Sequence, residues 1–264
     1  MMRTRSFKGS NAEALIYAIL SICGLIIIWA VLVNFTAMKK IMPDPFTVFN
    51  RFFISFVKSI GTYILPIQIL YSLKRVFVGY LLACAIGIPL GLLMGCSKLG
   101  NAIIRPIFEL IRPIPGLAWI PLAILWFGID EAPKYFIICI SAIVSIILNT
   151  YSGARAVDNT LLGAARMLGA RSFKLFLNVT LPASVPQIFA GLQVGLSSSW
   201  MAVIAAEMIR SNEGSGWVII TGMANGDTVQ IIVGMISIGL VGLLLAQILR
   251  AIERRLCSWN IQGR

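Results

Sequence analysis

The sequence predicts an all-α integral membrane protein with six transmembrane helices. Three observations carry that reading. First, 58% of the 264 residues are hydrophobic and only 12% are charged, with a mean hydropathy of +0.90, too apolar to clothe a soluble domain. Second, the apolar residues fall into runs at about 14–36, 69–96, 106–128, 134–153, 188–208 and 229–250, each near the ~20 residues that cross ~30 Å of hydrocarbon. Third, 13 of the 22 Lys and Arg residues lie in 1–13, 97–105, 154–187 and 250–264, against six in 38–68, 129–134 and 209–228. Cationic loops are retained on the cytoplasmic side, so the bias predicts both termini and the 154–187 loop inside.

The same composition narrows function. A net charge of +12 in a polar chain would suggest nucleic acid, but here the cations sit at the ends of apolar runs and read as topology signals. With no histidine, the commonest metal ligand and general base are missing, and a Ser–His–acid triad is excluded. The cysteines Cys23, Cys84, Cys96, Cys139 and Cys257 form no CxxC pair, and four lie inside apolar runs, as packed free thiols do. The chain has no Walker A pattern and so no phosphate cradle of its own.

In chain order, 1–13 is a basic tail leading into the first span. A cleaved signal peptide is the rival, but the apolar run exceeds a usual signal core and no small-x-small site follows it. The segment 38–66 is amphipathic and partly aromatic, which suits a helix lying at the outer interface, and Pro43 and Pro45 break the chain ahead of it. Gly79, Gly87, Gly91 and Gly95 give the second span one face small enough for close helix contact. Pro106, Pro113, Pro115 and Pro121 predict a kinked or broken third span. The fourth span leads into 154–187 and the fifth follows it. Segment 209–228 is an outer connection, and 251–264 forms a tail behind the sixth span.

The stretch 158–186 is the polar, amphipathic interruption in this pattern. Asp158 is placed to cap a helix start, Leu161, Leu162, Ala164, Ala165 and Leu168 repeat at helical spacing, and Gly169 stops or bends that helix. A second short helix from Phe173 to Val179 is predicted to end at Leu181-Pro182, because a residue before proline is pushed out of helical geometry.

Gly163-Ala164-Ala165, three residues, Gly169, nine residues, Val179, one residue, Leu181-Pro182 resembles the EAA loop of ABC importer permeases. That pattern reads Glu-Ala-Ala, three residues, Gly, nine residues, Ile, one residue, Leu-Pro; Gly163 replaces its Glu and Val179 its Ile. RPIPGLAWIPLAILWFGIDEAPK (112–134) and WMAVIAAEMIRSNEGSGWVI (200–219) are similar to the taurine, alkanesulfonate and nitrate branch of that family. With Met42-Pro43-Asp44-Pro45, the resemblance runs over nearly the whole chain from about residue 40.

The resemblance implies the type I ABC importer permease fold. In that arrangement a second permease copy and two ATPase subunits assemble with the chain, an extracytoplasmic solute-binding protein feeds it, and ATP and Mg are bound by the ATPase and not by this chain. It also implies that Gly163, Ala164, Ala165, Arg166, Gly169, Val179, Leu181 and Pro182 form the ATPase-coupling loop. Arg166, Arg171 and Lys174 would pair with carboxylates of that partner or anchor at lipid headgroups. The solute would be a small anion of the taurine, nitrate or bicarbonate type, or alternatively a vitamin precursor or aromatic acid. Spans three to five would line the pathway, making Glu109, Arg112, Pro115, Trp119, Asn149, Ser198, Trp200 and Glu207 its candidates, with Arg210 following Glu207 and Ser197 and Ser199 flanking Ser198. Asp130, Glu131 and 213–216 would face the binding protein. A secondary carrier without an ATPase and a purely structural membrane anchor are the readings from other classes.

Overall fold

Residues 11–35, 42–209 and 211–257 are described by a computed structural model of the chain. Most of the N-terminal tail, the first residues of the predicted interfacial segment, Arg210 and the end of the C-terminal tail lie outside the described residues. The helices are α1 (Asn11–Phe35), α2 (Pro45–Ile54), α3 (Leu65–Cys96), α4 (Lys98–Ile111), α5 (Ile120–Phe127), α6 (Glu131–Arg155), α7 (Asn159–Met167), α8 (Ser172–Leu175), α9 (Leu181–Ile209), α10 (Ser215–Ala224) and α11 (Thr228–Leu256). Among the described residues, five stretches are long and apolar enough to cross a membrane, and the bent pair Lys98–Ile111 and Gly116–Phe127 makes a sixth if counted as one span.

Glycine brings α3, α6 and α9 together. A Cβ on Gly79, Gly87, Gly91 or Gly95 of α3 would fall 2.5–2.9 Å from Ile138, Ile146, Thr150 or Ala154 of α6, closer than any real Cβ contact. On an adjoining face of α6, Gly191 and Gly195 of α9 press on Asn149 and Ile146, while Gly153 meets Gln187. Three backbones in such contact along their length form one stiff unit, held by dispersion where no hydrophobic effect drives helices together. The other helices are laid against it. Trp200 of α9 donates to the Ile238 carbonyl of α11 at 3.1 Å, and Ile104 and Phe108 of α4 pack with Met94 and Ile147.

Four features depart from the sequence expectations. The predicted third span, 106–128, is two helices at 83°, and its first half begins at Lys98, in what reads as a loop. Ser97 caps that start by accepting the Gly100 N–H at 3.1 Å. The break falls where Pro113 and Pro115 remove two donors: Arg112 is still helical, and the chain turns at Pro115, with ψ 137°, into a 3-10 turn over Gly116–Trp119. Second, Leu181-Pro182 does not end a helix. Leu181 N–H bonds the Phe176 carbonyl in a π turn over Phe176–Thr180, which re-registers the ladder so that Pro182 opens α9, where an N–H is not required. The Ser184 hydroxyl takes up the Thr180 carbonyl at 2.6 Å.

Third, the interfacial segment is shorter than its pattern. Among its described residues ahead of α3, Pro45–Ile54 alone forms an α-helix, capped by Asp44, and it buries Val48 in a cluster with Leu65, Val218 and Val233. Fourth, the 209–228 connection contains α10. Its ten residues span about 15 Å, half of what crossing needs, and it packs against α9 and α11.

Candidate functional site

At one end of the bundle the chain leaves α6, makes α7 and α8, and re-enters as α9. Asp158 caps α7 by accepting the Thr160 N–H at 2.8 Å, a bond that holds its carboxyl below the usual range. Gly169 then closes the helix at φ +81°: its N–H reaches Arg166 O at 2.9 Å while Ala170 N–H reaches Ala165 O at 3.0 Å, the paired bonds of a Schellman stop. The turn splits the apolar residues. Leu162, Leu175 and Phe176 line a cleft of about 750 Å3 against the ends of α3 and α6. Met167, Leu168 and Phe173 point outward with 85%, 89% and 72% of their surface exposed, which a short joint sustains only if something else covers it. Gly163 lies inside α7 with open space at its Cβ position, Ala164 and Arg166 are exposed, and Ala165, Val179, Leu181 and Pro182 are half-buried.

The opposite end holds a buried ion cluster. Arg75 of α3, 2% exposed, uses all five N–H donors. Nε and Nη2 fork onto Glu131 at 2.8 Å each, Nη1 bonds Glu207 at 2.8 Å and the Glu213 carbonyl at 2.9 Å, and Nη2 also reaches the Glu213 carboxylate at 3.2 Å. Glu207 has no exposed surface and further accepts from the Ser72 hydroxyl and the Gly216 N–H. Lys134 closes the cluster on Glu131 at 2.7 Å. Such a group stands only because every partner is present; removing one strands a charge in a medium that cannot solvate it. The cluster borders a cleft of about 770 Å3 between the start of α6 and the α9–α10 loop.

Of the predicted pathway residues, the structure brings only Glu207 into this cluster. Glu207 is enclosed by Arg75, Ser72 and Gly216 and does not line the neighbouring cleft. Trp200 is buried between α9 and α11, where it borders a cleft of about 460 Å3. Glu109 and Arg112 do pair, at 3.6 Å, with Arg105 adding a contact at 3.8 Å, but on a half-exposed face of α4 apart from the other candidates. Pro115 is exposed at the break in the third span, and Trp119 stacks edge-on to Phe136. Asn149 donates back to Ser145 O within α6, Ser197 does the same to Gln193 O within α9, Ser198 is half-buried, and Ser199 is fully buried. Sequence reasoning missed Arg75, Ser72 and Gln68. The available signal was an arginine ten residues into a 32-residue apolar helix, a placement costly enough to imply a partner.

Residues 87–257 match the family model described as a binding-protein-dependent transport system inner membrane component. A putative ABC transporter permease of Methanocaldococcus jannaschii is 41% identical over 236 residues, covering 89% of this chain and 88% of that protein. The nitrate import permease of Leptolyngbya laminosa is 40% identical across 71% of this chain and 67% of its own length. The taurine transport system permease of Escherichia coli is 34% identical across 72% and 69%. Among solved structures, the inward-facing MetNI methionine ABC transporter superposes with a TM-score of 0.61 at 18% identity, covering 70% of this chain and 92% of that one. An amino acid ABC transporter gives 0.59 at 19%, covering 78% and 95%. At such identities these structures establish the fold alone, whereas the family match and the relatives establish descent. The chain is a multi-pass membrane permease of the binding-protein-dependent ABC importer family, whose members work with an ATPase and a solute-binding protein.

Proposed function

We propose that two copies of this chain form the translocation pathway for a small anion, with α7 and α8 seated on two cytoplasmic ATPase subunits. The observation that carries the reading is the α7–α8 joint: a capped helix, a Schellman turn and three outward apolar side chains on a basic end of the bundle. Arg155, Arg166, Arg171 and Lys174 lie in or beside the joint, and Arg254 and Arg255 end α11, which supports a cytoplasmic position for the joint and for both termini. The chain itself binds no cofactor; ATP and Mg belong to the ATPase, and hydrolysis there is passed on through the joint.

Coupling loop and pathway have distinct parts in this reading. Gly163, Ala164 and Ala165 offer little side-chain bulk, so the first coupling helix lies close against its partner. Gly169 fixes the angle to α8, and the π turn carries the force into α9 without a hinge. Pro115, Trp119, Asn149 and Ser198 line or border the pathway near the break in the third span. The far end, with its 770 Å3 cleft, receives the binding protein. Taurine, alkanesulfonates and nitrate are the first solutes to test, given what the relatives are named for.

Co-expression with the candidate ATPase and binding protein, followed by co-purification and ATP-dependent uptake into vesicles, tests the reading. Uptake without an ATPase would make the chain a secondary carrier and overturn it. Thermal-shift screening of the binding protein against sulfonates, nitrate, bicarbonate, vitamin precursors and aromatic acids identifies the solute.

A further inference from the structure

The loop between α9 and α10 is gripped from behind. Gly214 N–H donates to Gln68 Oε1 at 2.7 Å, Ser215 N–H to Ser72 Oγ at 2.8 Å and Gly216 N–H to Glu207 Oε2 at 2.9 Å. The Glu213 carbonyl accepts from Arg75 Nη1 at 2.9 Å and from the Ser211 hydroxyl at 2.6 Å. Gln68, Ser72, Arg75 and Glu207 are each at most 2% exposed. Gly214, at φ +112°, leaves no room for a Cβ beside the Glu207 carboxylate, and Gly216 none beside the Ile204 carbonyl. A connection is normally satisfied by water or by its own turns; here the amide of Gly214 and the first two of α10 are each bonded by a buried side chain, which fixes the turn into α10.

The front of this loop faces the 770 Å3 cleft, with Asp130 and Glu131 at the start of α6 on the other side. Arg75 joins the two walls, because one guanidinium holds both Glu131 and Glu213. Its planar fork supplies five donors in fixed directions; an ammonium at the same place supplies a point charge and three. The clamp also sits on the glycine-packed α3–α6–α9 unit, whose opposite end carries α7 and α8.

We propose that Arg75 and Glu207 are positioning residues for transport: without touching solute, they set the spacing and shape of the cleft walls on which the solute-delivering partner docks. This rests on the reading of the far end as the face fed by a binding protein. Its distinctive consequence is that loosening the clamp weakens docking before it weakens turnover.

The test uses the complete importer in nanodiscs, titrated with its binding protein preloaded with taurine or nitrate, with ATP hydrolysis as the readout. Arg75→Lys and Gln68→Leu are expected to raise the half-saturating binding-protein concentration about tenfold and to keep the maximal rate within twofold. Gln68→Leu removes the Gly214 bond, together with a longer 3.3 Å bond to the Ile60 carbonyl, without changing charge or the cleft lining, and it carries the test if Arg75→Lys fails to assemble. A nitroxide at Asn212→Cys, in a background with the five cysteines replaced by alanine, is expected to be immobile in the parent and mobile in both variants, while one at Phe77→Cys stays unchanged. An unaltered half-saturation with a lowered maximal rate, or an Asn212 label as rigid as in the parent, would overturn the proposal. If the parent importer shows no response to the binding protein, the functional reading fails, and the label mobility still decides whether the clamp shapes the loop.

Discussion

Gly163 stands where the EAA pattern has Glu, and substituting it measures what the joint needs. The residue lies inside α7, its φ is not in the left-handed region, and a Cβ there would meet nothing within 4 Å. Glycine in a helix interior is weaker than alanine by about 0.5–1 kcal/mol, because the unfolded chain gives up more freedom. Gly163→Ala is therefore expected to stabilise α7 by about that amount, which corresponds to roughly two- to fivefold slower amide exchange over 159–168. Hydrogen exchange on the purified permease reads the local effect; ATP-dependent uptake in vesicles reads the consequence. Uptake should hold or rise, since the joint transmits force better when its first helix does not fray. Unchanged or faster exchange would refute the propensity argument. Slower exchange with abolished uptake would show that Gly163 itself is pressed against the ATPase, so that its lack of a side chain is a docking requirement.

Gly169→Val puts a β-branched residue at φ +81° and costs at least about 1–2 kcal/mol, so hydrolysis should proceed while uptake falls; Ala165→Glu should uncouple in the same assay. Gly91→Leu drives a side chain into Thr150 Cβ at 2.6 Å and the Ile147 carbonyl at 2.9 Å, an overpacking worth about 1–3 kcal/mol that a lowered thermal midpoint in detergent would report. Arg75→Ala strands Glu207, and breaking a buried pair in this way costs about 3–5 kcal/mol, seen as a reduced yield of folded protein. Asp158 has a carboxyl held below its ordinary value, so its capping contribution is present at neutral pH and is lost only as pH falls through that lowered value. Protection of the α7 amides should stay flat from about pH 5 to 8 and drop only in stronger acid; a drop near pH 6 would contradict the capping bond.

The sequence by itself determined what depends on short-range chemistry and on the solvent. Apolar run lengths gave the spans, because each must satisfy its own backbone in hydrocarbon. Asp158 and Gly169 marked the ends of α7 because capping and the left-handed stop are decided within a few residues. The glycines of α3 announced a close contact, although only the structure shows α6 as what they meet. Local rules failed at Leu181-Pro182, where a π turn absorbs the proline that was expected to end the helix, and at 209–228, where α10 is too short to be recognised by length. The charged cluster was legible only as a cost. Arg75 in an apolar helix requires partners, but they come from residues 131, 207 and 213, more than 50 positions away. Which carboxylates share one buried guanidinium is fixed by three helices meeting side by side, and that geometry does not exist until the chain has folded.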